Sequence, residues 1–250
     1  MGTSQKPDLE RARYALPIPL FKALEFIFSH GVKNCMLAGG TALSGFYAAH
    51  RRSDDLDFFV KDSAGFHGVR RACVALTDIG AKLTQVQHTR DYYHAVSTLD
   101  SHTFTIDIVV DENIFSVGDH HAVGDNLIIA DLSTLLKMKA AALLSRCSEK
   151  DLYDLLWLFG QFAGLEVDRL ISMGAEIDAG MDAEALLYSV ASAPLSEESC
   201  GFALNPSTTA VDVFKQIKSF QRALIRDIQK HLRDIPTPPL QEIVARLKRM

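Results

Sequence analysis

Ser53-Asp54-Asp55-Leu56-Asp57-Phe58-Phe59 places three acids at the start of an apolar run, Leu56 to Val60, that reads as a β-strand. Side chains alternate faces along a strand, so Asp55 and Asp57 share one face and Leu56 points to the other. Two ionised carboxylates held a few ångströms apart repel each other, and a divalent cation relieves that repulsion. An all-oxygen donor set suits Mg²⁺ or Mn²⁺, the ions that neutralise a triphosphate and align an attacking oxygen in nucleotidyl transfer. A bare pair of acids is more often a surface turn, so the surrounding sequence has to decide.

Upstream lies Leu37-Ala38-Gly39-Gly40-Thr41-Ala42-Leu43. Cys35 to Ala38 predicts a short strand, the two glycines a tight turn, and Thr41 an N-cap for a helix over 42–50. Strand, glycine turn and helix N-terminus together form a cradle for phosphate, because backbone N–H groups and the helix dipole attract anions. Downstream, strand character is predicted for Lys82 to His88, His94 to Leu99 and Phe104 to Val110. In the last of these Asp107 falls on the face shared with Thr103 and Thr105. It is the natural third carboxylate for a two-metal site, or a general base for an incoming hydroxyl.

The rest of the chain supplies the frame. Leu9 to His30 has helical spacing broken by Pro17 and Pro19, and Gly65 to Ile79 reads as helix. After about Asn126 the pattern becomes helical: Ser133 to Ser145, Lys150 to Phe162, Val167 to Met173, Ala183 to Ala191, Val211 to Arg233, and a short helix from Leu240. Ser192 to Ser207 reads as loop. The expected fold is α+β, with a mixed α/β core over residues 1–130 and a helical domain over 131–250.

Taken together, these blocks make the sequence resemble the AbiEii/AbiGii-type toxins of the DNA polymerase β-like nucleotidyltransferase superfamily. The resemblance rests on Gly39 to Leu43, on His50-Arg51-Arg52-Ser53-Asp54-Asp55-Leu56-Asp57-Phe58-Phe59, on Lys137 to Arg146 and on Lys150-Asp151-Leu152-Tyr153-Asp154-Leu155. It spans roughly residues 35 to 160. It implies that Gly39, Gly40 and Thr41 grip phosphate, that Asp55 and Asp57 bind metal, and that Arg51 and Ser53 flank the triphosphate of an NTP. It further implies that Lys139 contacts phosphates as a point charge, that Asp151 is the final acid of the pattern with Asp154 the less certain choice, and that the helical domain completes the active site. Lys150 stands where the family often has Arg, which keeps the charge. Read alone, Lys139 is a snorkelling helix lysine and Asp151 a helix N-terminal acid.

The resemblance also implies the toxin half of a type IV toxin–antitoxin or phage-defence pair, with a cognate antitoxin as a possible partner and the 3′ end of tRNA as a possible acceptor. A nucleotide-binding regulator that has lost catalysis, or an enzyme modifying a protein or small molecule, stays open, since one fold hosts many substrates.

Composition bounds these readings. Of the 250 residues 48% are hydrophobic and 23% charged, ordinary for a soluble globular protein. No apolar run is long enough to span a bilayer, and no signal peptide is visible, so a cytoplasmic protein without a membrane partner is expected. Four scattered cysteines argue against a disulfide framework or structural zinc. The net charge of −5 means that any nucleic acid must be met by a local basic patch. One candidate is Lys215, Lys218, Arg222, Arg226, Lys230 and Arg233, spaced by threes and fours on one helix face. Val213, Ile217, Phe220, Leu224, Ile228 and Ile235 are expected opposite, with Asp212 and Asp227 off the stripe. A phosphate backbone would be drawn to it, though a solvated face or a contact for an acidic protein remains open. Asp119-His120-His121 reads as a polar loop, and Arg90 to His94 as a plain hairpin turn.

Overall fold

The structure is a computed structural model that describes residues 5–247. The chain divides into two compact units, residues 5–134 and the residues from Leu135 onward, with the division between Thr134 and Leu135.

The first unit is built on a seven-stranded mixed sheet. Its strands are β1 (Cys35–Ala38), β2 (Asp55–Val60), β3 (Lys82–His88), β4 (Tyr92–Leu99), β5 (His102–Val110), β6 (His120–Val123) and β7 (Leu127–Ala130), in the order β3-β4-β5-β2-β1-β7-β6. β2 runs parallel to β5 and antiparallel to β1, while β7 runs parallel to β1. Along β2 burial alternates strictly: Leu56, Phe58 and Val60 are buried, and Asp55, Asp57 and Phe59 are half-buried. The buried face is covered by α2 (Ile18–Ser29) and α4 (Ser63–Val74), with the Phe28 and Phe58 ring centroids 5.8 Å apart. Each large apolar side chain so buried contributes about 1.5–3 kcal/mol. The hydrophobic layer thus fixes the face on which the carboxylates lie.

Pro17 separates α1 (Leu9–Ala15) from α2, as the prolines predict. The segment after β1 differs from expectation. Helix α3 (Gly39–Thr41) begins at Gly39 itself and continues as a π-helix, Ala42–Ala48, closed by Ala49 at φ 48°. Thr41 is therefore no N-cap: it lies inside the first turn, and its hydroxyl donates to the Asp55 carbonyl at 2.5 Å. The wide π turn, of the kind found at functional sites, is pinned by Ser44 Oγ donating to the Arg51 carbonyl at 2.8 Å and by Tyr47 Oη donating to the Ala130 carbonyl at 2.9 Å.

Two further expectations are corrected. Asp119 to His121 is not a loop: β6 starts at His120 and pairs with β7. Arg90 to His94 is not only a turn, since β4 begins at Tyr92, with Tyr93 in the core. A short helix, α5 (Glu112–Val117), follows β5 on an Asp111 cap.

The unit from Leu135 onward is helical. It holds most of α6 (Leu132–Ser145), then α7 (Glu149–Phe159), α8 (Val167–Ala175), α9 (Ala183–Ser192), α10 (Ala210–His231) and α11 (Gln241–Leu247), with a single 3₁₀ turn, Glu198–Cys200, in the long loop. Thr209 and Asp212 form a capping box that starts α10, which packs Val213, Ile217, Phe220, Leu224 and Ile228 inward; the Phe220 and Phe159 ring centroids are 5.4 Å apart. The helix stops at His231, so Arg233 and Ile235 lie beyond it, and Ile235 is exposed rather than on the packed face. Among the described residues no helix is long and apolar enough to cross a membrane.

Candidate active site

Register brings the predicted acids together. Asp57 pairs with Ala38 of β1 on one side and with Asp107 of β5 on the other. Asp55 pairs with Thr105, whose hydroxyl donates to Asp55 Oδ1 at 2.8 Å. Asp54 turns away, and its Oδ1 lies 2.9 Å from His102 Nε2.

The glycine turn is shaped by what touches it. Gly39 has φ +66°, and a Cβ there would lie 1.9 Å from Asp57 Oδ2. Only glycine combines that backbone conformation with so close a carboxylate. A Cβ on Gly40 would lie 2.5 Å from Arg51 Nη2 and 2.8 Å from Ser53 Oγ. The turn therefore rests directly on Asp57, Arg51 and Ser53, three side chains singled out by sequence. Arg51 and Ser53 are buried, and Arg51 Nη1 donates to the Arg52 carbonyl at 2.9 Å. Ser53 Oγ is buried with no hydrogen-bond partner among the described residues. An unpaired buried hydroxyl costs about 1–3 kcal/mol, so a ligand oxygen arriving at this turn would meet a donor already desolvated.

Asp107 is less free than its sequence position suggests. Its Oδ1 accepts the Tyr92 hydroxyl at 2.5 Å and faces His94 Nδ1 at 3.0 Å. The hydrogen bond to Asp107 pushes the Tyr92 phenol up to about 12. Sequence reasoning missed Tyr92, His94 and Thr105. The signal was available: Tyr92 and His94 share a strand face, and His94 is the direct partner of Asp107. Among the described residues no three His, Cys, Asp or Glu side chains stand close enough together to hold a metal as a ready-made cluster. Asp55 and Asp57 nevertheless fit a hard divalent cation by chemistry, as half-buried carboxylates on one strand face beside a glycine turn.

In the helical unit, Lys139, Asp151 and Asp154 do come together. Lys139 Nζ lies 2.9 Å from Asp151 Oδ1 and 2.7 Å from Asp154 Oδ2, and all three residues are buried. Asp151 also takes Arg146 Nε at 2.9 Å and the Ser148 hydroxyl at 2.6 Å, and it closes the capping box of α7. Burial works against the Asp151 charge, but Lys139, Arg146 and Ser148 outweigh it and hold its carboxyl far below the ordinary carboxylate range. Lys139 is thus neither a snorkelling lysine nor an unengaged point charge; it is the centre of a buried ion triad.

The residues of the basic stripe differ in exposure. Lys215, Arg222 and Arg226 are exposed on α10, and Lys218 and Lys230 half-buried. Lys218 Nζ is tied to Gln221 Oε1 at 2.7 Å. The Thr209 hydrogen bonds, and to a lesser degree Lys215, lower the Asp212 carboxyl pKa. Arg246 of α11 joins the stripe. With Arg222 and Arg226 it lines a hollow of about 230 Å³, and its Nη2 reaches the buried Asp227 at 3.5 Å.

The sequence profile of the family described as "Nucleotidyl transferase AbiEii toxin, Type IV TA system" matches residues 24–246. No curated protein matches the chain by sequence. Among solved structures, the chain is similar to MenT4, a nucleotidyltransferase toxin from Mycobacterium tuberculosis H37Rv, with TM-score 0.51 and 15% identity over 95% of this chain and 98% of that one. It is also similar to JHP933 from Helicobacter pylori, with TM-score 0.50 and 17% identity over 90% and 96%. At such identities these two likenesses speak for the fold, and the family match speaks for the activity. The chain belongs to the AbiEii nucleotidyltransferase toxin family and is a nucleotidyltransferase.

Proposed function

We propose that the chain transfers a nucleotide from an NTP to an RNA hydroxyl, with the 3′ end of tRNA as the acceptor, as the toxin of a type IV toxin–antitoxin or phage-defence pair. The observation that carries the NTP site is the turn at Gly39-Gly40, packed without intervening side chains against Asp57, Arg51 and the unpartnered Ser53 hydroxyl. Ser53 Oγ and Arg51 hold triphosphate oxygens there, and a Cβ at either glycine would fill the space. Asp55 and Asp57 hold Mg²⁺ or Mn²⁺, which supplies charge neutralisation of the triphosphate when bound.

Asp107 orients the acceptor hydroxyl and takes its proton on Oδ2. Tyr92 and His94 occupy Oδ1 and fix the carboxylate's rotation. The acceptor oxygen attacks the α-phosphorus, the bond to the bridging oxygen breaks, and pyrophosphate leaves. RNA is favoured as acceptor by the exposed arginines of α10, joined by Arg246, in a chain of net charge −5.

The test is to incubate the protein with each radiolabelled NTP, Mg²⁺ and total RNA or total protein. Label in RNA, abolished by a chelator, is the expected result. Label in protein would overturn the acceptor, and undiminished labelling with chelator would overturn the metal.

A further inference from the structure

A second positive surface lies in the sheet-bearing unit, away from the carboxylates. Cys35 at the start of β1 pairs with Val60 at the end of β2, so the residues just before β1 and just after β2 meet at the strand ends opposite to Gly39 and Asp57. From Asp57 to Val60 is about 10 Å along β2. At that far end lie two adjoining hollows, of about 500 and 620 Å³, bordered in common by Ala64 and Arg71 of α4 and referred to together as the groove.

Its cations are Lys33 from the segment before β1 and Arg70 and Arg71 from α4, with His30 and His67 also in the lining. Among the described residues none of Lys33, Arg70 and Arg71 has an ion-pair partner. The neighbouring acid, Asp62, is spoken for, accepting the Gly65 N–H as the cap of α4 and the Asn34 amide at 2.8 Å. The floor is glycine and alanine, and a Cβ at Gly68 would meet nothing within 4 Å. The sequence reading assigned these residues no role.

We propose that this groove binds the phosphodiester backbone of a single-stranded stretch of the RNA substrate. Unpaired cations along an open channel, in an acidic protein, fit a polyanion. The lining favours RNA over an acidic protein: it offers no Phe, Tyr, Trp, Met or Leu anchor such as protein interfaces use, and Val74 is its one large exposed apolar side chain. The proposal deepens the reading of RNA as acceptor and rests on it for the word substrate. The groove would hold a part of the strand distant from the reacting end.

The test uses the full chain and a short fluorescein-labelled oligoribonucleotide, with binding read by anisotropy across a salt series. Position 68 gives a sign reversal in one open place on a helix: Gly68→Lys tightens binding and Gly68→Glu weakens it, and either residue suits a helix better than glycine. The exposed pair Lys33→Glu/Arg71→Glu weakens binding about tenfold at low salt. It also lowers the slope of log affinity against log salt by about 1.4, roughly 0.7 for each phosphate no longer neutralised. Unchanged binding in all three proteins overturns the proposal, as does a polyglutamate peptide that responds to the substitutions when RNA does not. A wild type that binds RNA through the groove yet transfers no label to RNA upholds the groove as an RNA site and sinks the acceptor reading. Label in RNA with a silent groove does the reverse.

Discussion

At the scale of single residues, the site is a set of close approaches around two glycines. Gly39→Ala forces a Cβ onto Asp57 and an unfavourable φ, so it should cost more than about 1–2 kcal/mol and abolish transfer. Thermal melts and a labelling assay check both. Ser53→Ala removes a buried hydroxyl that lacks a partner. Stability should hold or rise by up to about 1 kcal/mol, while KM for the NTP rises several-fold. An unchanged KM would show that Ser53 does not meet the triphosphate.

Tyr92→Phe frees half of the clasp on Asp107 Oδ1 and should lower kcat about tenfold with little change in KM for the NTP. The glycines and Asp55/Asp57 were legible because a period-two strand and a Gly-Gly turn are local patterns. Tyr92 and His94 were not, because what gives them meaning is their register against Asp107 in β5, which no local pattern records.

At the scale of elements, the pairing of α6 with α7 through Lys139, Asp151 and Asp154 carries a pH signature. Asp151 titrates far below the ordinary carboxylate value of about 3.9. Its contribution to stability is therefore complete above about pH 5 and drains away as pH falls below that value toward the folded pKa. Wild type should exceed Asp151→Asn by about 3 kcal/mol at neutral pH, with the gap narrowing as melts are taken down to pH 3. A gap that stays constant would place the triad's strength elsewhere.

The helices other than the short α5 were readable to within a few residues, since capping residues and 3.6-residue spacing are local. The π-helix after Gly39 was not, because its wide turn is set by Ser44 meeting the Arg51 carbonyl and Tyr47 meeting Ala130. β6 escaped for a related reason. His120 and His121 have no strand preference of their own, and the pairing with β7 supplies it.

At the scale of the molecule, an acidic chain gathers basic side chains at the α10 stripe with Arg246 and at the groove walled by Lys33 and Arg71. The first was legible as a helical period. The second was not, because two segments separated in sequence meet only through the antiparallel pairing of β1 and β2. Reversing Arg222 and Arg226 to Glu should weaken RNA binding about tenfold without unfolding the protein, read by anisotropy beside a circular-dichroism melt.

All of this depends on the reaction belonging to the carboxylates of β2. The most direct measurement is transfer of labelled nucleotide by Asp57→Asn, made alongside its melting curve. The expected result is an intact fold and a rate down by at least about a thousandfold, since several kcal/mol of charge stabilisation are lost. Transfer at the wild-type rate by the folded variant would contradict the account at its centre.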